Sequence, residues 1–519
     1  MNRRNFLRFT TGSMLLPVLV DGYGARAFAR QSAFMQALSG LAGLNDRVLV
    51  LIQLNGGNDG LNTVIPLDQM SRYKTLRSNI AIAEDKVLRL NNSLTTGLHP
   101  AMTGLQRLWN DGKLSITQSV SYPQPNFSHF RSSDIWFTGA DSNKTLTTGW
   151  MGRYLDEKYP DYPDKYPSSQ NPDPLAIQIG AVASTALLGP AQSMAIALQN
   201  PDTFAQLVGD KPSIDPNLNL STPAGRHIAY IRQQQLSSVA YAGQIKAAAG
   251  KGKNLVTYAT PNPLADQLKI VARLIHGGLQ TKIYYVSIGG FDTHAAQVVG
   301  TDTTTGAHAN LLKYLSDGVK TFMDDLKAMG LEDRVVGMTF SEFGRRAISN
   351  NSLGTDHGVA APLFVFGSAV KTQMIGKNPD LNDLDNNNIK MQTDFRQVYA
   401  TLLADWLGEG QPVLTDVLSR DFTNLPIFKQ VVTGVEELSA SLRIYPNPAK
   451  DNVLLEADAL SDTRTVQLLD ATGRRLSPTL HRLSSKTLGM TVNHLPNGVY
   501  FLNVETRQGT LRGRMVVAH

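Results

Sequence analysis

Short apolar runs alternate with stretches of helical periodicity over most of the chain. Apolar side chains recur every three or four residues along 262–276 and 308–329, which predicts two amphipathic helices. Other runs are rich in apolar residues and are mostly bounded by Gly, Asn or Asp, as is typical of strands buried in a parallel sheet. The pattern predicts an α/β unit in which helices cover both faces of a mostly parallel sheet. The predicted strands are residues 47–54, 113–120, 282–288, 334–340 and 362–366.

The pattern changes near residue 435, where we expect a domain boundary. From residue 442 the chain contains short alternating strands separated by turn residues, with no helical periodicity, which predicts a small antiparallel, immunoglobulin-like sandwich. Two segments of the preceding unit, 159–173 and 376–390, are crowded with Pro, Tyr, Asn and Asp and are expected to be long surface loops. The strands predicted in the sandwich are 452–456, 466–469, 498–504 and 511–517, with a turn at 471–473.

Composition narrows the possible chemistry. The chain has 519 residues, of which 42% are hydrophobic and 18% charged, which is enough for more than one core. Its net charge of +6 is spread along the sequence rather than gathered into basic blocks, so a nucleic-acid partner is not expected. Cysteine is absent, which excludes disulfides and thiolate ligands; any metal must be bound by oxygen and imidazole.

The first 29 residues resemble a twin-arginine export signal. Arg3 and Arg4 precede a short apolar stretch at 14–20, and Ala27-Phe28-Ala29 has the small-x-small pattern of a cleavage site. The apolar stretch is too short to cross a bilayer and Pro17 interrupts it. The resemblance implies export of the folded protein by the twin-arginine translocase, with no transmembrane helix in the mature chain.

Acidic, imidazole and hydroxyl groups recur where the predicted strands end. In a parallel sheet the carboxyl ends of the strands converge on one edge, where ligands bind. Clustered carboxylates would repel each other there unless a cation neutralised them, so the sequence favours a divalent metal site. The candidate residues are Asp59 after the first strand, Ser128 after the second, Asp292 and His294 after the third, Glu342 after the fourth and His357 before the fifth.

Four motifs together resemble the DUF1501 family of the alkaline phosphatase and sulfatase superfamily. They are VLIQLNGGNDGLN, FSHFRSSDIWFTG, GGFDTH and SEFGRR followed by GTDHG and PLFVFG. The resemblance covers residues 46–430 and implies an alkaline phosphatase-like fold. By resemblance, Ser128 is the nucleophile and Asp59, Asp292, His294, Glu342 and His357 hold one or two divalent ions, expected to be zinc, with manganese or calcium as alternatives.

This resemblance implies hydrolysis of phosphate or sulfate esters, with Ser128 attacking the ester while the metal polarises it. Asn58, Arg131 and Arg345 are the expected contacts to the anionic substrate. Phe343 departs from the pattern, because it stands where the superfamily has a metal-binding His. In a second alignment, Asp356 and His357 themselves form the Asp-His-Gly pair, and no candidate is left for the last His.

Two other functions are weighed against this one. A degenerate, non-catalytic relative that acts as a secreted binding protein is the main alternative, because of Phe343. A Ser-His-Asp hydrolase is disfavoured, because the chain lacks a G-x-S-x-G elbow. His129 is not expected to pair with Ser128, since consecutive helical residues do not face each other.

The end of the chain, residues 441–519, resembles the type A sorting domain of the type IX secretion system of Bacteroidetes. The resemblance rests on LRIYPNP at 442–448 and NGVYFL at 497–502. It implies passage through the outer membrane by the type IX machinery and then release or attachment at the cell surface. Together the two ends of the chain predict export first to the periplasm and then to the exterior.

Overall fold

The computed structural model describes residues 46–190, 192–207, 222–429, 442–470, 474–506 and 509–519. These residues form two compact units, 46–429 and 442–519, which we call the core unit and the tail unit. The export signal at 1–29, the boundary expected near residue 435 and the turn expected at 471–473 lie outside the described residues.

The core unit is built on one large sheet in the order β11-β5-β10-β9-β1-β8-β6-β7, with β12 also paired to β5. β10 is antiparallel to both of its neighbours, whereas the other pairings are parallel. The prediction of a mostly parallel sheet is therefore confirmed. The strands of the core unit are β1 (Val48–Leu54), β2 (Val64–Pro66), β3 (Leu88–Leu90), β4 (Ser93–Leu98), β5 (Leu114–Ser121), β6 (Ala176–Ile179), β7 (Ala195–Leu198), β8 (Ile283–Ile288), β9 (Val335–Phe340), β10 (Ala361–Phe366), β11 (Gln373–Ile375) and β12 (Thr393–Asp394).

All five predicted strands are present, each within one residue of the expected bounds. β1, β5 and β9 are buried along their whole length, which requires cover on both faces of the sheet and explains why β1 and β9 are largely apolar. Seven described strands of the core unit escaped prediction: β6, β7, β11 and β12 of the large sheet, and the three strands of a second, small sheet of order β2-β4-β3. The predicted loops 159–173 and 376–390 contain no helix or strand.

Both predicted helices are present. The first begins after Asn262, whose side chain accepts hydrogen bonds from the backbone N–H groups of Leu264 and Ala265, a cap that satisfies two otherwise free donors. The helices are α1 (Gly60–Thr63), α2 (Met70–Leu76), α3 (Thr103–Asn110), α4 (His129–Thr138), α5 (Trp150–Lys158), α6 (Pro201–Leu207), α7 (Pro223–Lys251), α8 (Pro263–His276), α9 (Ala307–Ala328), α10 (Phe395–Thr401), the π-helical turn Leu402–Trp406 and α11 (Gln411–Leu418).

The reversed direction of β10 matters for the site. Because β10 runs against its neighbours, its amino end lies at the edge where the parallel strands have their carboxyl ends. The segment that precedes β10 therefore meets the loops that follow β1, β8 and β9. This edge is called the loop edge below.

The tail unit consists of two four-stranded antiparallel sheets, β13-β14-β18-β17 and β16-β15-β19-β20. Apolar side chains of both sheets, among them Val453, Met490, Leu502 and Met515, form one buried cluster, which confirms a β-sandwich. Its strands are β13 (Arg443–Tyr445), β14 (Asn452–Glu456), β15 (Thr463–Asp470), β16 (Arg475–Leu476), β17 (Thr479–Arg482), β18 (Thr487–Thr491), β19 (Gly498–Thr506) and β20 (Gly509–Val517).

Candidate metal centre

The loops after β1 and β8 are held against each other at the loop edge. Phe291 N donates to Asn55 O at 3.1 Å, and Asn55 N donates to Ile288 O at 2.9 Å. Gly56 has a φ of +124°, and a Cβ there would lie 2.3 Å from Asp292 N. Only glycine permits both this backbone conformation and this close approach. The glycine-rich turn after β1 thus packs Asp292 into a fixed place.

His129, Asp292 and His357 converge at this edge from three separate segments. One ligand atom from each, an imidazole nitrogen or a carboxylate oxygen, lies within 4.8 Å of the others. Asp292 Oδ2 is 3.5 Å from His129 Nε2, and Asp292 Oδ1 is 3.3 Å from His357 Nε2. His129 is the first residue of α4, Asp292 follows β8, and His357 precedes β10. We call these three residues the cluster.

The second nitrogen of each imidazole has its own acceptor. His129 Nδ1 lies 2.8 Å from Glu342 Oε1, and His357 Nδ1 lies 2.8 Å from the carbonyl oxygen of Phe127. A carbonyl oxygen only accepts, so His357 Nδ1 carries the proton and its Nε2 presents a lone pair in the neutral ring. Burial is the main reason that the pKa of His357 lies below its usual value, which favours this neutral form.

These contacts fit a divalent cation. Metal-binding histidines usually donate the second ring N–H to a carboxylate or a carbonyl, which orients the lone pair towards the metal. His129 Nε2 is buried and has no hydrogen-bond partner among the described residues. Two imidazoles and one carboxylate are ligands that zinc and similar ions accept. The donor set of the cluster therefore suits such an ion.

Glu342 contacts the ring nitrogen of His129 that does not face Asp292. Its side chain is 1% exposed, and Oε1 also accepts a hydrogen bond from Gly56 N at 2.9 Å. Phe343, the next residue, is buried, and its ring centroid lies 4.8 Å from that of His129 and 4.6 Å from that of His357. Where a further metal-binding His was expected, an aromatic ring thus packs against both imidazoles.

His294 lies at the outer margin of the cluster. Its Nε2 is 3.2 Å from Asp292 Oδ1, its Nδ1 is 3.3 Å from Asp356 Oδ1, and its side chain is 45% exposed. Both ring nitrogens thus face carboxylates. The structure brings His294 next to Asp292 and His357 but does not include it among the three converging ligand atoms of the described residues.

Asp59 is placed differently from the expectation. It is fully buried, and Arg77 Nη1 contacts Oδ1 at 2.9 Å and Oδ2 at 2.7 Å, while Gln297 Nε2 donates to Oδ2 at 2.6 Å. Burial raises the pKa of Asp59, but the charges of Arg77 and His308 and the hydrogen bonds outweigh it, so the pKa lies below the usual value. The charge of Asp59 is neutralised by Arg77, and Asp59 does not join the cluster.

The three expected substrate contacts are all engaged within the protein. Asn58 Oδ1 is 3.0 Å from both His308 Nε2 and Thr63 Oγ1, and Asn58 is 1% exposed. Arg131 pairs with Asp134 on the same helix and donates to the carbonyl oxygen of Ser142 at 3.0 Å.

Arg345 is wholly buried and positions Asp292 instead of reaching solvent. Its guanidinium contacts Asp292 Oδ1 and donates to the carbonyl oxygens of Gly57 at 2.9 Å and Thr355 at 2.7 Å. Burial raises the pKa of Asp292, but the hydrogen bond and charge of Arg345 outweigh it and hold the pKa below the usual value. One oxygen of Asp292 is thus occupied by Arg345, and Oδ2 is left towards His129.

Ser128 lies between Phe127, which contacts the cluster, and His129, which belongs to it. It is the N-cap of α4, is exposed, and its hydroxyl makes no hydrogen bond within the described part of the chain. The preceding carbonyl, of Phe127, binds His357, and the following side chain is His129. The main chain therefore places Ser128 beside the cluster with a free hydroxyl.

His129 is the residue that sequence analysis missed. Its pairing was judged only against Ser128 on the same helix, whereas its partners come from the loops after β8 and β9. The sequence did contain an indication that His129 could be a ligand, since this His stands at the start of a predicted helix, directly after the loop that follows a strand. What the sequence could not show was which segment would face it.

A cleft of about 580 Å³ opens beside His129. It runs along α4 and over the ends of β1 and β6, and its walls include Gln53, Phe130 and Gln178. Of the candidate residues named from sequence, none lines the cleft. His129 is the cluster residue that also lines it.

Comparison with known proteins identifies the core unit. Residues 113–433, more than half of the chain, match the family described as "Protein of unknown function (DUF1501)". The chain belongs to the DUF1501 family. The match begins at residue 113, so the resemblance of the segment around Asp59 to this DUF1501 pattern stays a prediction. Curated proteins gave no match to the chain.

The tail of this DUF1501 protein matches a second family, the "Secretion system C-terminal sorting domain", over residues 443–518. The match indicates a secreted or cell-surface protein. Among the described residues, no helix is long and apolar enough to cross a membrane.

The solved structures that match this DUF1501 protein share little sequence identity with it. One is a protein in the alkaline phosphatase superfamily from Vibrio parahaemolyticus, with 10% identity, 85% of this chain and 81% of that chain covered, and a TM-score of 0.33. The PsFucS1 sulfatase from Pseudoalteromonas sp. has 11% identity, coverage of 91% and 87%, and a TM-score of 0.33. The phosphonate monoester hydrolase SpPMH from Silicibacter pomeroyi has 12% identity, coverage of 91% and 89%, and a TM-score of 0.30. Likeness at this level carries no information on activity.

Proposed function

We propose that this DUF1501 protein is an exported hydrolase of phosphate or sulfate esters, dependent on one divalent cation held by His129, Asp292 and His357. The observation that carries the proposal is the convergence of their three ligand atoms within 4.8 Å. Catalytic zinc sites commonly have three protein ligands and keep a fourth position for water or substrate. The exposed position of Asp292 and the adjoining cleft would give an ester access to such a position.

The choice of a single ion follows from the residues around the cluster. Asp59, the expected first ligand, is neutralised by Arg77, and the Phe343 ring covers the two imidazoles where another ligand was expected. His294 is near enough to join after a side-chain rotation but is already held between two carboxylates. Zinc is the best match to the two imidazoles, with manganese or calcium as alternatives.

Ser128 is proposed as the nucleophile. A bound divalent cation would lower the pKa of a nearby hydroxyl and polarise the ester oxygen. Ser128 Oγ attacks phosphorus or sulfur, the bond to the substrate alcohol breaks, and the departing alkoxide takes up a proton while Ser128 loses one. Water then attacks the resulting serine ester, releases phosphate or sulfate and restores the hydroxyl.

Glu342 and Arg345 act as positioning residues in this proposal. Glu342 fixes the orientation of the His129 ring through Nδ1, and Arg345 ties Asp292 to the main chain of two loops. Both are buried, so neither is expected to contact the ester. Their role is to hold the ligand atoms before substrate binds.

Export through the twin-arginine translocase and then the type IX machinery is part of the proposal. The tail match supports the second step, and the first rests on residues 1–29 of the sequence. The folded-state export that this route implies suits a protein whose ligands come from three distant segments. Expression of the chain in a type IX-competent host, with and without residues 441–519, tests the second step by where the protein accumulates.

The function is tested by elemental analysis of the purified protein, combined with a panel of aryl phosphates, phosphodiesters and sulfates. We expect about one divalent ion per chain and turnover of at least one ester class. Ser128→Ala should abolish turnover while folding and metal content stay unchanged. Ser71→Ala, an exposed serine on α2, is the matched control. Full activity of Ser128→Ala would reject this nucleophile, and a folded protein with neither ion nor turnover would favour a non-catalytic binding protein.

A further inference from the structure

The lining of the cleft beside the cluster combines amide and hydroxyl groups with apolar surface. Gln53 of β1, Asn55 just after it and Gln178 of β6 contribute amides, and Ser133, Ser184 and Thr185 contribute hydroxyls. These amide and hydroxyl groups offer many hydrogen-bond donors and acceptors and are themselves uncharged. They are suited to a ligand with many hydroxyl groups.

Two of the amides are already oriented by the protein. Tyr285 Oη donates to Gln53 Oε1 at 2.7 Å, and Ser184 N donates to Gln178 Oε1 at 2.6 Å. Because each oxygen is held by a protein donor, each Nε2 is left with two N–H donors. Neither Nε2 has a partner within the described part of the chain, and both side chains line the cleft. Fixed donors of this kind recognise hydroxyl oxygens at little entropic cost.

Charge argues against an extended polyanion in the cleft. Among the described residues that line it there is no Lys or Arg, and the one carboxylate, Asp134, is paired with Arg131. The cluster can bind one anionic ester group, but the adjoining cleft has no cation for a second. The part of a substrate that lies in the cleft is therefore expected to be neutral.

An aromatic face stands at the cleft. Phe130, the second residue of α4, lines the cleft and is 90% exposed, and Phe137 lies two turns further along the same face of the helix and also lines the cleft. A single exposed apolar side chain is common and means little by itself. Next to oriented amides and hydroxyls, however, an exposed ring provides the apolar surface against which the C–H face of a sugar can pack.

We propose that this cleft binds a neutral carbohydrate residue whose esterified hydroxyl reaches the cluster. Hydrolysis of sugar esters rests on the proposed function above, whereas carbohydrate binding in the cleft does not. The amides would contact ring hydroxyls, Phe130 would cover one face of the ring, and the ester group would lie at His129, the residue shared by cleft and cluster.

The test is direct binding, measured by isothermal titration and saturation-transfer NMR on the full chain. The probes are neutral oligosaccharides of hexose, pentose and N-acetylhexosamine units. Phe130→Ala should weaken binding of the recognised sugar about tenfold, as expected for one aromatic contact. Gln178→Glu keeps the acceptor for Ser184 N but replaces the free donor, and should weaken binding at least as much. Leu94→Ala, which removes an apolar side chain that is 91% exposed and lies outside the cleft, should leave binding unchanged.

The outcomes separate the two proposals. Sugar binding that falls in both cleft variants but not in Leu94→Ala supports the inference, even if no ester is hydrolysed and the proposed hydrolase fails. Absence of binding across the panel, or binding that neither cleft variant weakens, overturns the inference. Turnover of aryl esters in that second case would leave the hydrolase standing without a sugar site.

Discussion

Asp59 and Asp292 follow neighbouring parallel strands of the same sheet, and each is paired with a buried arginine. They differ in whether one carboxylate oxygen is left without a contact to arginine or glutamine. Arg77 and Gln297 between them contact both oxygens of Asp59, which is fully buried. Arg345 contacts one oxygen of Asp292, whose side chain is 47% exposed, and Oδ2 is left facing His129. An acidic residue at a strand end is thus available to a ligand only if its local partners leave a donor atom unused.

This difference gives the two regions different roles: the surroundings of Asp59 contribute to stability, and the cluster contributes to cation binding. The network of Asp59, Arg77 and Gln297 holds α2 and two loops together beneath the loop edge, so its loss should reduce stability. In the cluster three ligand atoms face one another, and Asp292 Oδ2 has no arginine contact, so loss of the cluster should reduce cation binding. The predictions below separate these two effects.

Removal of Arg77 should have the largest effect on stability. Arg77→Ala leaves the buried carboxylate of Asp59 without its ion pair, which costs about 3–5 kcal/mol of the unfolding free energy. Urea unfolding followed by Trp fluorescence measures this, because all four Trp residues lie in the core unit. Arg89→Ala breaks an exposed pair with Glu84 and should cost less than about 1 kcal/mol. Equal effects of the two variants would contradict the structural role of Asp59.

The buried network should also make the core unit sensitive to acid. His308 is fully buried next to Asn58 and burial lowers its pKa to about 4, so between about pH 6.5 and 4 the unfolded chain binds a proton that the folded chain does not. Stability should therefore fall as the pH falls, by roughly 2 kcal/mol between pH 7 and 5 from this group alone. His99, with a pKa of about 3, acts in the same direction.

His308→Gln should reduce this slope, measured by urea unfolding at pH 7 and pH 5. Asp59, Arg77 and Arg345 also face His308, so the comparison is made between variant and parent at each pH. His276→Gln, at the end of α8, is the control. An unchanged slope in His308→Gln would show that other groups cause the acid sensitivity.

On the side of the cluster, Glu342→Gln should weaken cation binding rather than stability. Removing the charge behind His129 Nδ1 is expected to lower metal affinity by about 10–100-fold, as is usual for second-sphere carboxylates. Zinc titration against a competing chelator measures the affinity. Glu332→Gln, which lies just before β9 at the opposite edge of the sheet, is the control. Unchanged zinc affinity in Glu342→Gln would remove support for a cation at His129.

The smallest effect is expected at Arg131. Its guanidinium is occupied by Asp134 and the Ser142 carbonyl, so Arg131→Ala should change stability by less than about 1 kcal/mol and ester turnover by less than about threefold. Steady-state kinetics on the best ester of the panel measure this. A loss of turnover of a hundredfold or more would return Arg131 to the role of substrate contact that its position in the sequence suggested.

The motifs at the strand ends located part of the candidate site. Asp292, Glu342, His294 and His357 were named from sequence and lie together at the loop edge. The same reasoning named Asp59, because it could not see that Arg77 folds back onto it. It passed over His129 and assigned Arg345 to the substrate, since neither the partner of an imidazole nor the burial of a guanidinium is encoded by its neighbours in the chain.

By itself the sequence determined five strands of the large sheet, two amphipathic helices, the β-sandwich tail, the absence of thiol chemistry and the edge at which polar groups gather. These features depend on periodicity and composition, which act over a few residues. Only the tertiary structure decided which of the gathered groups keep a free donor atom. That choice depends on ion pairs, burial and hydrogen bonds between segments far apart in the chain, such as Arg77 on Asp59, Glu342 on His129 and Phe127 on His357.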